Sequence, residues 1–364
     1  MKRFIARMAA ALLAAILLFT TQVHGISAEK AIVMDAQTGR VLYEKNADQR
    51  SLIASTTKIM TALLICEQCN VLDRVRIPKE AVGIEGSSMY LQAGEIMTVQ
   101  ELLYGLMLRS GNDAAVALAI YCAGTVEGFV QRMNDKARSL GLQQTHFENP
   151  NGLDSPEHYS TARDLARLTV YAMRNPLFAR TVSAKTVQAA GRSIQNHNKL
   201  LWLLEGADGV KTGYTKAAGR ILVSSSTRQG RRLVAVTINA PDDWNDHTQL
   251  LENGFREYTV QKIVNKGQCI GFVSVNNADE KLVSVLAAED FSYAIAKGEQ
   301  VQIVIPGPGF VYAPVVRGQD AGYAHVCIGD NSVYKLPLIF GQTIEQQEQP
   351  RRSLWQRLWE GDIW

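Results

Sequence analysis

The segment "ASTTKIMTALLI", Ala54 to Ile65, places a serine three residues before a lysine at the beginning of an apolar run. The apolar residues of this run recur with helical spacing, at Ile59, Met60, Leu63 and Leu64. Residues three apart share a helix face, so the Lys58 ammonium can reach the Ser55 hydroxyl. A serine at a helix start also gains from the positive end of the helix dipole, which favours a developing oxyanion. The segment therefore predicts a serine nucleophile with a lysine base.

The same S-x-x-K pattern occurs twice more, at Ser27–Lys30 and at Ser332–Lys335. The first lies in the cleavage region of a predicted export leader, upstream of every predicted helix or strand that could hold it in place. The second lies in a predicted β-hairpin, where residues three apart point to opposite faces. Only the Ser55–Lys58 pair precedes a helical apolar pattern.

For Lys58 to act as the base of Ser55, a second positive charge should lie close to it. A lysine acts as a base for serine only when burial or a nearby cation lowers its pKa towards neutrality. The sequence offers one in "GVKTGYT", where Lys211–Thr212–Gly213 follows an apolar residue and leads into strand-like sequence. A glycine at position 213 also allows another backbone to approach closely. We therefore expect Lys211 to lie near Lys58.

A third group lies between these two motifs, in "RSGNDAA". Ser110 and Asn112 fall in the break between two predicted helices, where they offer a hydroxyl for proton relay and an amide for a substrate carbonyl. The S-x-N pattern recurs at Ser274–Asn276, but K-T-G occurs only once. Only one combination gives the three motifs in order, each in a plausible local setting.

The first 28 residues have the pattern of a secretory leader. Lys2, Arg3 and Arg7 precede an unbroken apolar run, Met8 to Phe19, which is too short for a comfortable membrane span. An uncleaved N-terminal anchor is the alternative. The leader carries three positive charges and no acidic residue, which leaves no net charge on the rest of a +3 chain. The apparent basicity therefore gives no support to nucleic-acid binding.

The remaining chain is predicted to form two domains and a tail. Residues 29–257 mix helix and strand signals, including a hairpin near Gly39 and a capping box of Thr98 with Glu101. Residues 258–343 contain short β-rich runs broken by turns, which predicts a small β-sandwich-like domain. Residues 344–364 begin as a polar linker.

The last ten residues, "WQRLWEGDIW", contain three of the five tryptophans. A helix that begins one residue earlier places Leu354, Trp355, Leu358 and Trp359 on one face, with Arg351 and Arg352 just before it. This pattern predicts an amphipathic helix lying in the membrane interface. A tail docked on its own protein is the alternative.

Five cysteines is an odd number for an exported protein, so at least one is unpaired within the chain. Cys66 and Cys69 form a C-x-x-C late in a helical run, with no matching second pair. Small buried hydrophobes are favoured over a zinc or redox site. The pairing of the cysteines is left open, and the six histidines show no metal-ligand spacing such as H-E-x-x-H.

With its three motifs the chain resembles the serine-type D-alanyl-D-alanine carboxypeptidases, the low-molecular-mass penicillin-binding proteins. The resemblance extends to "EGSSMYL" (Glu85–Leu91), "NPNGL" (Asn149–Leu153), "YSTARDLARL" (Tyr159–Leu168) and "APVVRGQ" (Ala313–Gln319), and so to nearly the whole chain after the leader. It implies an α/β (α+β) catalytic domain of the serine β-lactamase/penicillin-binding type, in which helices flank an antiparallel sheet, followed by the small all-β domain.

The resemblance also implies the chemistry at the nucleophile. Ser55 attacks the carbonyl between the last two D-alanines of a peptidoglycan stem peptide, and Lys58 takes its proton. Ser110 passes a proton to the leaving D-alanine, and Asn112 positions the acyl-enzyme. β-Lactams acylate the same serine, and no metal or cofactor is needed.

The third motif is implied to bind the substrate. Lys211 and Thr212 hold the terminal carboxylate, the strand around Gly213 pairs edge-on with the peptide, and the backbone N–H of Tyr214 joins that of Ser55 in an oxyanion hole. Family members often add an arginine in a later segment, which here is "APDDWNDHTQLL" and has none. His247 is one candidate to replace it, and Asn198 is expected to be structural.

Other functions remain open. A class A β-lactamase shares the motifs but needs an added glutamate, and its usual E-x-x-L-N pattern is missing between the second and third motifs. A D,D-endopeptidase or transpeptidase acts on the same type of bond, and a non-catalytic wall-binding protein could retain the fold. The expected location is the outer face of the bacterial cytoplasmic membrane, with the C-terminal helix on the membrane surface.

Overall fold

The computed structural model describes residues 25–307 and 309–347. The predicted leader up to residue 24 and the predicted tail helix lie outside the described residues. The described chain divides into two compact units. The first comprises the residues up to Met34 together with Tyr43–Leu251, and the second comprises Asp35–Leu42 together with the residues from Glu252 onward.

A five-stranded sheet is the centre of the first unit. Its strands are β1 (Lys30–Asp35), β2 (Val41–Lys45), β7 (Ala207–Thr215), β8 (Gly219–Arg228) and β9 (Arg231–Ile238). They are arranged in the order β2-β1-β9-β8-β7. The β7–β8 and β8–β9 pairs are antiparallel. Strands β8 and β9 contain long runs of buried residues, because both faces of the sheet centre are covered. Strand β7 is left at an edge.

Seven helices of the first unit surround this sheet among the described residues, and an eighth runs from it into the second unit. They are α1 (Lys58–Gln68), α2 (Val99–Leu108), α3 (Asn112–Ala123), α4 (Val126–Ser139), α5 (Ala162–Ala172), α6 (Pro176–Ser183), α7 (Leu200–Leu203) and α8 (Asp243–Glu257). The predicted capping box is present, since Glu101 N–H donates to Thr98 Oγ1 and Thr98 N–H donates to Glu101 Oε2. Helices α1 and α3 are largely buried, which places their N-terminal ends inside the unit.

Short elements complete the first unit. Two small hairpins pair β3 (Arg74–Arg76) with β4 (Ile96–Thr98) and β5 (Thr186–Ala189) with β6 (Arg192–Gln195). Single 3₁₀ turns occur at Ala54–Thr57 and Lys79–Ala81. Within the described ranges no helix by itself is long and apolar enough to cross a membrane, although the sharply bent pair α3 and α4 satisfies length and composition when taken together.

The second unit is rich in β structure, as its alternating runs predict. Its strands are β10 (Tyr258–Val264), β11 (Cys269–Asn276), β12 (Leu282–Ala287), β13 (Phe291–Ala296), β14 (Val301–Val304), β15 (Phe310–Tyr312), β16 (Asp320–Ile328) and β17 (Asn331–Phe340). A six-stranded sheet has the order β14-β16-β17-β12-β11-β15, and β10 pairs separately with β13. The buried core includes Val283, Val285, Val326, Leu336 and Leu338.

Candidate active site

The nucleophile motif forms a tight turn that leads into a helix. Ser55 lies in the 3₁₀ turn Ala54–Thr57, and α1 begins at Lys58. Ala54, directly before the serine, has φ of +45°, a conformation that is strained for a residue with a side chain. The serine is thus held on a constrained turn just before the helix, rather than within the helix that its spacing predicts.

Lys58 is fully buried at the centre of the site. Its Nζ lies 3.0 Å from Ser55 Oγ, 2.6 Å from Asn112 Oδ1 and 2.5 Å from the backbone oxygen of Asn151. Burial lowers the pKa of Lys58 well below its usual value, the charge of Lys211 lowers it further, and Asp113 opposes both effects. A neutral amine donates two hydrogen bonds and keeps a lone pair. The two fixed acceptors therefore leave the lone pair for the serine proton.

The loop that carries Asn151 is fixed by the glycine beside it. Gly152 has φ of +88°, and a Cβ there would lie 1.9 Å from the backbone oxygen of Ala54. Only glycine allows this approach of the loop to the nucleophile turn. The "NPNGL" segment therefore supplies a backbone acceptor for Lys58, a role that its side chains do not indicate.

A buried histidine supports the turn from behind. Glu148 N–H donates to Nδ1 of His158 at 3.1 Å, so Nε2 carries the proton and donates to Thr57 Oγ1 at 2.7 Å. Thr57 in turn donates to the backbone oxygen of Ala54 at 2.9 Å. Burial lowers the pKa of His158 to about 4, which keeps this chain of hydrogen bonds in one protonation state.

The second motif spans the break between α2 and α3, where Ser110 lies as its sequence predicts, and the start of α3. Ser110 has φ of +64° and is 5% exposed, and Asn112 is the first residue of α3. Asn112 uses its Oδ1 for Lys58 and its Nδ2 for the backbone oxygen of Glu85. In this structure its side chain therefore orients the lysine.

The third motif lies on the edge strand β7. Lys211 is 1% exposed, donates to the backbone oxygen of Thr212 at 2.8 Å, and has its pKa lowered to about 7 by burial. A Cβ on Gly213 would lie only 3.3 Å from the backbone oxygen of Ile53, so the strand closely approaches the nucleophile turn. The expected close approach at this glycine is confirmed.

These motifs open onto one cavity of about 400 Å³. Residues of all three motifs line it, together with groups from neighbouring loops and strands: Ser55, Ser87, Ser110, His197, Lys199, Thr212, Gly213, Tyr214, Arg220, Ile221, Asp243 and Trp244. Several of these side chains carry hydroxyl or charged groups that can hydrogen-bond a polar ligand.

Arg220 is a cavity residue that motif reasoning missed. It follows the third motif on β8, directly opposite Tyr214 in the β7–β8 ladder. Its Nη2 lies 2.7 Å and 2.9 Å from the two carboxylate oxygens of Asp243, and its guanidinium carbon lies 5.9 Å from the ring centre of Trp244. The ion pair occupies one of its nitrogens, which leaves Nε and Nη1 outside it.

The expected contact of His247 with a carboxylate is wrong. His247 is fully buried, with Nδ1 2.6 Å from Ser224 Oγ and Nε2 2.8 Å from Thr237 Oγ1. Both ring nitrogens are therefore used between α8 and the sheet, away from the cavity lining. Burial lowers its pKa to about 3, so it carries no charge for a carboxylate at neutral pH. Asn198 is structural as expected, since it donates to the backbone oxygen of Gly209.

The two competing S-x-x-K pairs lie elsewhere. Ser27 donates to Asp246 Oδ2 at 2.7 Å, and Ser332 lies on β17, 2.7 Å from His325 Nδ1. Neither lines the cavity. Among the residues of the described ranges, no group of three or more histidine, cysteine or acidic side chains could hold a metal ion.

A constrained serine beside a buried lysine, with a second buried lysine near the first, is the apparatus of a serine acyl-transfer enzyme of the penicillin-binding class. Comparison with known proteins gives the same result. A family model described as D-alanyl-D-alanine carboxypeptidase matches residues 18–242, and one described as the C-terminal domain of penicillin-binding protein 5 matches residues 258–346. The chain belongs to the D-alanyl-D-alanine carboxypeptidase family.

Relatives match most of the chain. The D-alanyl-D-alanine carboxypeptidase DacF of Bacillus subtilis is 35% identical over 81% of this chain and 80% of its own length. The structure of penicillin-binding protein 5 from Haemophilus influenzae has a TM-score of 0.77 and 30% identity, and the match covers 88% of this chain and 98% of that one. A mutant of the Streptomyces K15 DD-transpeptidase has a TM-score of 0.61 and 36% identity, covering 64% of this chain and 98% of that one.

Proposed function

We propose that this chain is a serine D-Ala-D-Ala carboxypeptidase that removes the terminal D-alanine from peptidoglycan stem pentapeptides through an acyl-enzyme on Ser55. The observation that carries the proposal is the buried Lys58, whose amine lies 3.0 Å from Ser55 Oγ with its other contacts directed to two fixed oxygens. The membership of the chain in the D-alanyl-D-alanine carboxypeptidase family supports the same reaction. β-Lactams acylate the same serine because they mimic the scissile amide.

Acylation begins with proton transfer. The neutral Lys58 accepts the Ser55 proton as the hydroxyl attacks the carbonyl carbon, and the resulting tetrahedral oxyanion is stabilised by the backbone N–H groups of Ser55 and Tyr214. Both residues line the cavity. Strand β7 is the edge of its sheet, so it can hydrogen-bond with an extended substrate backbone.

The tetrahedral intermediate then collapses. Ser110 relays a proton to the leaving amine of D-alanine, which departs as the acyl-enzyme forms. Water attacks the ester with Lys58 as the base, and the tetrapeptide leaves. Asn112, which hydrogen-bonds Lys58, keeps the lysine in position during both steps.

The substrate carboxylate is held by the third motif and Arg220. Thr212 offers a hydroxyl and Lys211 offers a positive charge. The pKa of the Lys211 amine, about 7 in the empty site, rises when a carboxylate binds beside it. Arg220 takes the role that the family often gives to an arginine from the segment after β9. Asp243 and Trp244 hold its guanidinium in place, and its free nitrogens suit a planar carboxylate.

Replacing Arg220 with alanine is expected to raise the KM for a pentapeptide at least about tenfold and to change kcat less, since hydrogen bonds to charged groups contribute about 1.5–3 kcal/mol. Arg220→Lys should recover part of the loss. Arg180, which is exposed on α6, provides the matched control Arg180→Ala. An unchanged KM in Arg220→Ala would remove this residue from the substrate site.

The function is tested by incubating the purified protein with a D-Ala-D-Ala-terminated pentapeptide and measuring free D-alanine. Release that is lost in Ser55→Ala supports the carboxypeptidase. Release of no D-alanine by the intact protein would instead support a non-catalytic wall-binding role. Rapid turnover of penicillin would identify a β-lactamase, whereas a long-lived adduct fits the proposed enzyme.

A D,D-transpeptidase or endopeptidase is the second candidate, and the similarity to the Streptomyces K15 DD-transpeptidase favours it specifically. Both reactions share the acyl-enzyme and differ in the acceptor. Adding an amino-acid acceptor during the pentapeptide assay separates them: a product of mass equal to tetrapeptide plus acceptor identifies transfer, and tetrapeptide alone identifies hydrolysis.

The protein acts in the cell envelope, where its substrate lies. The N–H groups of Ser27 and Ala28, at the end of the predicted leader, donate to Asp246. Residues 29–257 carry the catalysis and residues 258–343 form the second domain. The end of the chain, residues 344–364, holds the enzyme at the outer face of the cytoplasmic membrane.

Deleting Arg351–Trp364 is expected to move the protein from the membrane fraction to the soluble fraction while D-alanine release from a soluble pentapeptide is unchanged. The measurement is the share of protein that sediments with membranes, compared with a variant in which Trp355 and Trp359 alone are replaced by serine. Continued sedimentation of the truncated protein would show that its tail is no anchor.

A further inference from the structure

Two cysteines lie together at the ends of the two catalytic helices that are remote from the active site. Cys69 immediately follows α1, and its N–H donates to the backbone oxygen of Ile65 at 3.0 Å. Cys122 is in the last turn of α3. Cys122 Sγ donates to Oε1 of Gln68, the residue before Cys69, at 3.6 Å, and each of the two thiols shifts the pKa of the other. Both are only partly buried, so solvent and small reagents can reach them.

The two thiols have different surroundings. On α4, Arg132 places Nη1 3.6 Å from the sulfur of Cys122, and the same nitrogen donates to Gln68 Oε1 at 2.9 Å. The neighbouring Cys69 thiol and the charge of Arg132 lower the pKa of Cys122 to about 7, whereas the Cys122 sulfur and burial raise the pKa of Cys69. Asp73 is the acidic group near the pair, and it raises the pKa of Cys69. Cys122 is therefore suited to attack a disulfide, and Cys69 is suited to displace the resulting mixed disulfide.

The remaining cysteines do not match this arrangement. Cys66 is more deeply buried than the pair, and burial raises its pKa to about 12, which makes it unreactive. Cys269 and Cys327 belong to the second unit. The C-x-x-C spacing of Cys66 with Cys69 therefore does not identify the reactive pair, because the partner of Cys69 comes from a different helix.

We propose that Cys69 and Cys122 are a redox pair that closes to a disulfide when the exported protein meets a disulfide oxidant. The thiolate of Cys122 attacks the S–S bond of the oxidant and forms a mixed disulfide, releasing one thiolate. Cys69 loses its proton and attacks the Cys122 sulfur, which forms the intramolecular bond and releases the second thiol. Two electrons and two protons pass to the oxidant, and no metal is required.

The bond would join the catalytic helices at their second end. At their N-terminal ends Lys58 and Asn112 are already hydrogen-bonded at 2.6 Å. A covalent link at the C-terminal ends closes a loop of more than 50 residues and restricts the unfolded chain, which stabilises the fold. We expect this to protect the orientation of the lysine base at elevated temperature, without altering the active-site groups. The formation of the bond does not depend on the proposed function.

The test uses the purified full chain after incubation with either oxidised glutathione or dithiothreitol. Trypsin leaves Cys66 and Cys69 in one peptide, because neither lysine nor arginine occurs between Lys58 and Arg74, so the mapping is repeated in Cys66→Ser. In both proteins we expect a non-reduced peptide that joins Cys69 to Cys122 and a loss of two hydrogens. The Tm should rise by about 5 °C or more and return on reduction.

Two variants keep the result decisive. Cys122→Ser should lose the rise in Tm on oxidation, whereas Cys66→Ser should retain it. The proposal is overturned if Cys69 and Cys122 both remain open to alkylation after oxidation. It is equally overturned if the oxidised chain links Cys66 to Cys69, or if only a glutathione adduct accumulates on Cys122.

Discussion

Replacing Lys58 with alanine is expected to abolish acylation of the protein by penicillin. No other amine lies in hydrogen-bond contact with Ser55 Oγ among the described residues, and the serine hydroxyl is a poor nucleophile without a base. Removal of a positioned base typically costs a factor of about 100 to 10,000 in rate. We expect the acylation rate, followed with a fluorescent penicillin, to fall by at least this amount.

The control for this variant is the exposed Lys79, whose replacement by alanine should leave acylation unchanged. Lys58→Met, which keeps more of the buried volume, serves as a second variant, since alanine leaves a cavity. Thermal unfolding establishes that each protein is folded. Normal labelling of a folded Lys58 variant would show that another group deprotonates the serine.

Replacing Lys211 with alanine should both weaken acylation and move its pH dependence. The rate requires neutral Lys58, so it rises with pH as that amine loses its proton. The positive charge of Lys211 lowers the pKa of Lys58, and its removal therefore raises that pKa. The rising limb of the rate should move to higher pH. At neutral pH we expect a loss of roughly 30-fold or more, because the penicillin carboxylate loses its buried positive partner, and truncating one partner of a buried charge pair costs about 2–5 kcal/mol.

The measurement is the second-order rate of penicillin acylation between about pH 5 and pH 10. Lys211→Arg retains the charge and should keep the limb closer to that of the original protein. His197 also lines the cavity, and its pKa is lowered by burial and by the charge of Lys211. The variant His197→Gln therefore tests whether the rise of the acylation rate with pH reflects titration of this histidine instead of Lys58. A limb that stays fixed in Lys211→Ala would mean that the two lysines are not coupled.

The motifs allowed much of the site to be predicted from the sequence. The spacing of Ser55 with Lys58 required a second cation, and Lys211 is the nearby charge that lowers the pKa of that lysine. The predicted capping box of Thr98 with Glu101 is also present at the start of α2. These predictions succeeded because they depend on local spacing and on the chemistry that each residue type can perform.

His247 failed because a candidate was chosen by residue type alone. The buried positions of α8 include Asp243, Asp246, His247, Leu250 and Leu251. They recur at intervals of three and four, so helical periodicity places the histidine on the face that packs against the sheet. Applied to this segment, the same rule that identified α1 would have placed His247 among the packed positions of the helix.

The sequence motifs did not predict that Arg220 and the Asn151 carbonyl belong to the site. The arginine enters the cavity because the register of the β7–β8 hairpin places it opposite Tyr214. The carbonyl reaches Lys58 because Gly152 admits a backbone contact with Ala54. The first depends on hairpin register and the second on how distant segments meet, and spacing within a motif encodes neither.

The central claim is that one serine, activated by a buried amine, carries the acyl group. The most direct test is the intact mass of the purified protein after treatment with penicillin, followed by mapping of the modified peptide. We predict a single adduct with the full mass of the penicillin, located on Ser55 and absent from Ser55→Ala. An unmodified protein, or an adduct on any other residue, would contradict the claim.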